Sequence, residues 1–113
     1  MGIHDNVYNG RACVGMVTVL TDNQMKYLPN RTDLKNYTPD AGVRHPADHF
    51  DWGCDSPACY QLGLSILAYE FGDDFAMKKH KDFTEKYICV LDEEESWEMD
   101  SDDLERMLMR IAS

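Results

Sequence analysis

The segment from Ser56 to Gly72 constrains the fold more than any other part of the chain. It begins with Ser56, a good N-cap residue, and Pro57, whose missing N–H is not needed in a first helical turn. The run "ACYQLGLSILAYEF" follows and stops at Gly72, which suits a left-handed C-terminal cap. Because the run is apolar on nearly every face, it predicts a helix buried at the centre of a domain.

Two further helices are predicted after Gly72. Asp73 or Asp74 caps a helix through about Cys89, and Asp100 with Asp103 resembles a capping box that begins a last helix through Ala112. Apolar residues recur at helical spacing in both segments, so each helix has one face for the core. These faces consist of Phe75, Ala76, His80, Phe83 and Tyr87 on the second helix, and of Leu104, Met107, Leu108 and Ile111 on the last.

The N-terminal third has the pattern of short strands and turns. Asn9-Gly10 is a turn signal, the β-branched run 17–20 is typical of a strand, and the polar turn 21–24 precedes a second apolar segment at 25–28. Two or three antiparallel strands fit this pattern.

Prolines and glycine then interrupt residues 29–55, which are expected to form a long loop anchored by Tyr37, Phe50 and Trp52. The sequence therefore predicts a single α+β domain over residues 1–113. It has a small N-terminal antiparallel sheet, a long aromatic-anchored loop and three helices.

The net charge of −10 is concentrated at the C-terminal end of the chain. Residues 92–113 contain nine acidic and two basic side chains, and all nine acids lie between Asp92 and Glu105. This charge argues against direct binding to nucleic acid or to an anionic membrane. The acids of the last helix favourably meet its dipole, but those at 92–98 precede the helix and repel one another.

Other features of the sequence point to the cytoplasm. The N-terminus lacks the apolar run of a signal peptide, and the apolar stretch 62–71 is too short to span a bilayer. The four cysteines, Cys13, Cys54, Cys59 and Cys89, are accordingly expected to be reduced thiols.

Several short motifs occur in order along the chain: residues 34–40, Phe50-x-Trp52-Gly53, Gln61-Leu62-x-Leu64-x-Ile66-Leu67, Gly72-Asp73, Phe83 and Trp97. Together they resemble a family of small uncharacterised proteins from bacteria, plasmids and phages. The resemblance covers roughly residues 27–110, and two positions depart from it: Cys59-Tyr60 stand where the family has Pro-Ala, and "AGVRHPADH" lengthens the loop. It implies a fold and a mobile-element context, and no activity.

Gln61 and Trp52 are the candidate contacts for a small ligand. Gln61 is a polar residue inside an apolar helix, and its amide either satisfies the backbone of a buried loop, such as 34–40, or contacts a ligand. The other matching residues are of the kinds that a core needs.

A metal site is conceivable in the segment "RHPADHFDWGCDSPAC". It places His45, His49, Cys54 and Cys59 at His-x3-His and Cys-x4-Cys spacings, within the range of structural zinc sites, although a Cys-x2-Cys knuckle is missing. Incidental residues remain the alternative. We expect no cofactor.

No motif in the chain indicates a reaction. The nucleophile, phosphate-loop and calcium-loop signatures are absent from the sequence. A cysteine- or carboxylate-dependent enzyme therefore stays open only as a third alternative, behind two non-catalytic hypotheses.

The first hypothesis is an acidic protein that inhibits or modulates a nucleic-acid-handling host complex, in the manner of an anti-defence or anti-CRISPR protein. It would act as a monomer or weak dimer, and its carboxylates would stand in for phosphates on a basic protein surface. The second is a small-molecule or metal-binding module that uses residues 40–61. The candidate partner-binding residues are Asp92, Glu93, Glu94, Glu95, Glu98, Asp102 and Asp103.

Overall fold

The computed structural model describes residues 6–12, 15–34, 36–38, 42–44, 49–54 and 56–112. Its elements are five strands, two helices, a π-helical turn, a sixth strand and a last helix. In chain order they are β1 (Val7–Arg11), β2 (Met16–Thr21), β3 (Gln24–Tyr27), β4 (Asn36–Thr38), β5 (Gly42–Arg44), α1 (Pro57–Phe71), α2 (Asp73–Phe83), the π-helical turn (Thr84–Ile88), β6 (Trp97–Asp100) and α3 (Ser101–Ala112).

The predicted α+β architecture is confirmed, with more strands than expected. Four strands form an antiparallel sheet in the order β3-β2-β1-β6, and β4 and β5 form a separate hairpin within the predicted loop. The prediction of two or three strands matches β2 and β3, but the turn expected at Asn9-Gly10 is wrong, because both residues lie within β1 and pair with β2 and β6. It missed β6, which pairs with β1 across about 90 residues, with Tyr8 opposite Met99.

Helix α1 is the centre of the core, as its composition predicts. Twelve of its fifteen residues are buried, and Gly72 ends it with a φ of +101°. The helix packs against the inner face of the sheet, where alternate strand residues point inward. The core side chains that meet there come from every layer: Tyr8, Val19, Leu64, Ile66, Phe83, Met99 and Leu104.

The second predicted helix changes its geometry before it ends. It is α-helical through Phe83 and π-helical from Thr84, where the N–H of Cys89 donates to the carbonyl of Thr84 at 2.8 Å, a five-residue step. Ala76, His80 and Phe83 are buried on the predicted apolar face. None of the described helices is both long and apolar enough to cross a membrane.

Candidate functional site

The acidic connection between the π-helical turn and β6 is fixed to the loop 49–54, of which Trp52 is buried. The N–H of Gly53 donates to the carbonyl of Ile88 at 3.0 Å, and Trp52 Nε1 donates to the carbonyl of Glu95 at 3.1 Å. The rings of Trp52 and Trp97 meet edge to face, with their centroids 5.7 Å apart. The backbone that carries the acids is therefore held at several points by the core.

Two glycines permit this close packing. A Cβ on Gly53, whose φ is +74°, would lie 2.6 Å from the carbonyl oxygen of Leu91. A Cβ on Gly10 would lie 2.2 Å from Nε1 of Trp97, because the indole ring lies across the strand at that point. Trp97 is half-buried in this position, and its role as an anchor for the sheet is structural.

Two of the predicted partner-binding carboxylates make hydrogen bonds within the chain. Asp92 Oδ1 accepts a bond from the N–H of Glu94 at 2.9 Å. Asp103 forms the predicted capping box with Asp100, through bonds of 2.8 and 3.1 Å, and it also pairs with Arg106. These carboxylates stabilise a turn and the start of α3.

The other five predicted carboxylates are exposed, and no hydrogen bond or ion pair reaches them within the described part of the chain. They are Glu93, Glu94, Glu95, Glu98 and Asp102. Four of them lie on the connection and on β6, and the contacts of Ile88 and Glu95 with the loop lie before and within this group.

Glu98 also belongs to the outer face of the sheet, opposite α1. The strand pairing aligns it in one row with Asn9, Thr18 and Tyr27. Tyr27 is 68% exposed, and Met25 on the same face is 63% exposed. Glu98 thus belongs to a sheet face that also exposes an aromatic and an aliphatic side chain.

The two candidate ligand residues are buried and have partners inside the protein. Gln61 is fully buried, and its Nε2 donates to Asn30 Oδ1 at 2.7 Å. The Gln61 amide therefore does bond to a loop, as one alternative expected. Its partner, however, is the side chain of Asn30 and not the backbone of residues 34–40. Trp52 is 2% exposed and contacts the acidic connection as described above.

Cys54 and Cys59 form a disulfide, with their Cα atoms 6.2 Å apart. The prediction of reduced thiols is wrong for this pair, which chain folding brings to bonding distance at the start of α1. Cys89 is not in a disulfide, and Cys13 lies outside the described residues.

The predicted zinc set is replaced by a different group of donors. Within the described part of the chain, Asp51 joins Cys54 and Cys59, and one donor atom from each lies within 4.8 Å of the others. His49 is exposed and does not belong to this group, and His45 lies outside the described residues. The sequence interpretation missed Asp51, although it stands three residues before Cys54.

The sequence analysis also missed a buried carboxylate network that joins the sheet to α1. Glu70 is 4% exposed, and its Oε1 accepts bonds from Tyr8 OH at 2.7 Å and from Asn6 Nδ2 at 2.9 Å. Burial, together with the bond to Glu70, raises the pKa of the Tyr8 phenol, which stays a donor. A lone acid in an apolar helix was the signal for this network.

Comparison with known proteins gives one result. No curated protein and no solved structure matches the chain. A family model matches residues 8–110, which include every element from β2 to β6 and nearly all of β1 and α3. The chain therefore belongs to a family of unknown function, DUF6166.

Proposed function

We propose that this protein is a non-catalytic acidic binding protein that inhibits or modulates a nucleic-acid-handling host complex. One observation carries the proposal: Glu93, Glu94, Glu95 and Glu98 are exposed and unneutralised in the described structure, yet the backbone beneath them is fixed to the core. We call these four residues the acidic segment.

The fixed backbone of the acidic segment supports the proposal that its carboxylates serve to bind a partner and not only to keep the protein soluble. Solubility requires charge but no particular backbone geometry, and crowded like charges destabilise the folded state. A preorganised segment loses little conformational entropy when it meets a partner. Its carboxylates then accept strong charge-assisted hydrogen bonds from Arg and Lys.

The negative charge of the acidic segment is complementary to a partner protein with a basic surface. Proteins that handle nucleic acids have such surfaces for phosphate contacts, and carboxylates can occupy the same positions. The mobile-element context that the sequence resemblance implies makes a host defence complex the partner that we propose. The proposal includes a cytoplasmic location and a monomer or weak dimer.

The neighbouring sheet face extends the proposed interface. Protein interfaces have an apolar centre rich in Tyr and Met, with charged groups at the rim. Tyr27 and Met25 are exposed on the sheet face that carries Glu98, and they provide such a centre.

The experiment is a pull-down from a nuclease-treated bacterial lysate, eluted with rising salt and analysed by mass spectrometry. We expect a nucleic-acid-binding complex that elutes at moderate salt, because screening weakens exposed charge pairs. A variant of the acidic segment, with Glu93, Glu94, Glu95 and Glu98 all changed to Gln, should lose this complex while keeping the wild-type circular dichroism spectrum.

A control variant removes four charges elsewhere: Asp22→Asn, Asp74→Asn, Asp82→Asn and Glu105→Gln, all exposed. It has the same net charge as the acidic-segment variant, and we expect it to retain the complex. Equal loss in both variants would mean that only net charge matters. Retention by the acidic-segment variant, or no salt-sensitive partner for the wild type, would contradict the proposal.

A further inference from the structure

The Cys54–Cys59 disulfide at the start of α1 has a carboxylate beside it. Donor atoms of Asp51, Cys54 and Cys59 lie within 4.8 Å of one another, although the chain contains the bulky Trp52 between the first two residues. The Trp52 ring turns away into the core and toward Glu95, so that Asp51 and Cys54 remain on the same side. Two sulfur atoms and one carboxylate oxygen thus lie close enough together to share one metal ion.

The local backbone favours negative charge at this point. Cys59 is the third residue of α1, within the first helical turn, where the helix dipole favours a thiolate. Cys54 and Asp51 are half-buried and give access from solvent, whereas Cys59 is fully buried. Asp51 uses one oxygen, Oδ1, to accept a bond from the N–H of Trp52 at 2.8 Å, which does not exhaust a carboxylate.

We propose that Asp51, Cys54 and Cys59 form a redox-dependent site for a thiophilic divalent metal ion of the zinc class. The site is closed while the disulfide exists and binds metal when the two sulfurs are reduced. This inference is independent of the proposed function of the acidic segment.

The two states interconvert by a balanced reaction. A dithiol reductant transfers two electrons and two protons to the Cys54–Cys59 disulfide, the S–S bond breaks, and the reductant becomes a disulfide. The metal ion then displaces one proton from each of the two thiols. Two thiolates and the carboxylate carry a charge of −3, which a divalent ion reduces to −1.

The ligand set fits zinc better than magnesium or calcium. Thiolates are soft ligands that select zinc, whereas magnesium and calcium take oxygen ligands only. With Zn–S bonds of about 2.3 Å, tetrahedral geometry needs the sulfurs about 3.8 Å apart. A Cα separation of 6.2 Å allows this distance after the S–S bond breaks, with a rotation of the side chains. Three protein ligands leave a fourth position for water or for a partner's side chain.

The test measures metal binding in the oxidised and the reduced protein. Cys13→Ser and Cys89→Ser are introduced first, so that only the proposed pair remains. The chain is reduced with a dithiol, freed of reductant without air, and titrated with Zn²⁺ against a chromophoric chelator. We expect one Zn²⁺ per reduced chain and none for the oxidised chain, and Co²⁺ should give thiolate-to-metal charge-transfer absorption.

Three variants assign the ligands. Cys54→Ser and Cys59→Ser should each remove the charge-transfer band and the chelator-resistant Zn²⁺. Asp51→Asn keeps the disulfide and should weaken Zn²⁺ binding by at least the roughly 10–100-fold that loss of an outer partner costs a metal site. Asp82→Asn, an exposed acid on α2, is the control and should bind as the parent does.

Each contrary result overturns a defined part of the proposal. Failure of the reduced parent to bind Zn²⁺ overturns it entirely, as does binding that survives Cys54→Ser or Cys59→Ser. Equal affinity in Asp51→Asn and in Asp82→Asn removes the carboxylate from the ligand set. Equal binding by the oxidised and reduced chains overturns the redox dependence, once alkylation and mass spectrometry have verified the disulfide.

Discussion

Three of the buried polar side chains in the core of this protein have specific hydrogen-bond partners. Glu70 accepts bonds from Tyr8 and Asn6, and Gln61 donates to Asn30. His80, also buried, is 2.9 Å from the carbonyl of Ala76 through Nδ1, which therefore carries the proton. A polar group without such a partner would be costly at these positions, so the core is specified by hydrogen bonds as well as by packing.

His80 makes the free energy of unfolding depend on pH. Burial lowers the pKa of its imidazole below 6.5, while its backbone hydrogen bonds partly oppose this shift. Well above pH 6.5 the imidazole is neutral in both the folded and the unfolded state. Below that value the unfolded chain takes up the proton first, so the free energy of unfolding falls as the pH decreases.

We therefore expect the urea concentration at the unfolding midpoint of the wild type to decrease as the pH is lowered from about 7 to about 5, the range in which histidines titrate. His80→Asn, whose amide can still donate to Ala76, should flatten the curve over this range. Hydrogen bonds from Arg31 lower the pKa values of Asp33 and Asp73 below 3.8. Protonation of these carboxylates therefore changes the free energy of unfolding only at a lower pH than the range from about 7 to about 5. Parallel curves for wild type and variant would contradict the assignment to His80.

At the residue scale the sequence indicated that certain residues are special, but it did not identify their partners. Gln61 and Glu70 were visible as polar residues in an apolar helix. Their partners Asn30 and Tyr8 lie 31 and 62 positions away, and no local pattern encodes that proximity. The disulfide partner of Cys54 was five residues away, but cysteine spacing alone cannot distinguish a disulfide from a metal site.

Elements with complete local signals were predicted, and elements that depend on distant partners were not. Helix α1 has its cap residues and apolar run in one continuous segment, and α3 begins at the predicted Asp100–Asp103 box. Strand β6 has only four residues, in which Trp97 and Met99 face inward. This alternation is too short to identify a strand without knowledge of β1.

The contact between loop 49–54 and the acidic connection allows a direct test with glycine variants. Gly53→Ala would bring Cβ within 2.6 Å of the Leu91 carbonyl at a φ of +74°. We expect a loss of about 2–5 kcal/mol, because overpacking adds to the cost of a positive φ. The control is Gly15→Ala, at a φ of +63° with no atom within 4 Å of the added carbon, which should cost only about 1–2 kcal/mol.

Thermal and urea unfolding of the two alanine variants provide the measurement. Equal losses would show that the approach of Gly53 to the connection contributes nothing beyond its backbone dihedral. That result would also weaken the proposed function, because the acidic segment would then lack one of the contacts that fix it to the core.

At the scale of the whole molecule, the sequence shows where the acidic charge is concentrated, and the structure shows how the backbone of the acidic segment is attached to the core. The count of acids between 92 and 105 is explicit in the sequence, and the capping role of Asp100 and Asp103 followed from spacing. The attachment of the acidic segment depends on the Trp52–Glu95 bond, across 43 residues, and was not predictable. A charged surface that the core holds in place has a consequence for stability as well as for binding.

Because the acidic segment is unneutralised in the described structure, its charges should destabilise the fold in low salt. Changing Glu93, Glu94, Glu95 and Glu98 to Gln should raise the free energy of unfolding by about 0.5–2 kcal/mol, as surface-charge optimisation commonly does. The gain should shrink towards zero in 1 M salt, where the Debye length is about 3 Å. Urea unfolding of both proteins at low and high salt provides the measurement. A variant less stable than the wild type in low salt would mean that these carboxylates stabilise the fold, and the functional argument from their repulsion would then fail. A variant that is more stable but no longer binds would indicate that the protein retains destabilising charges because its partner requires them.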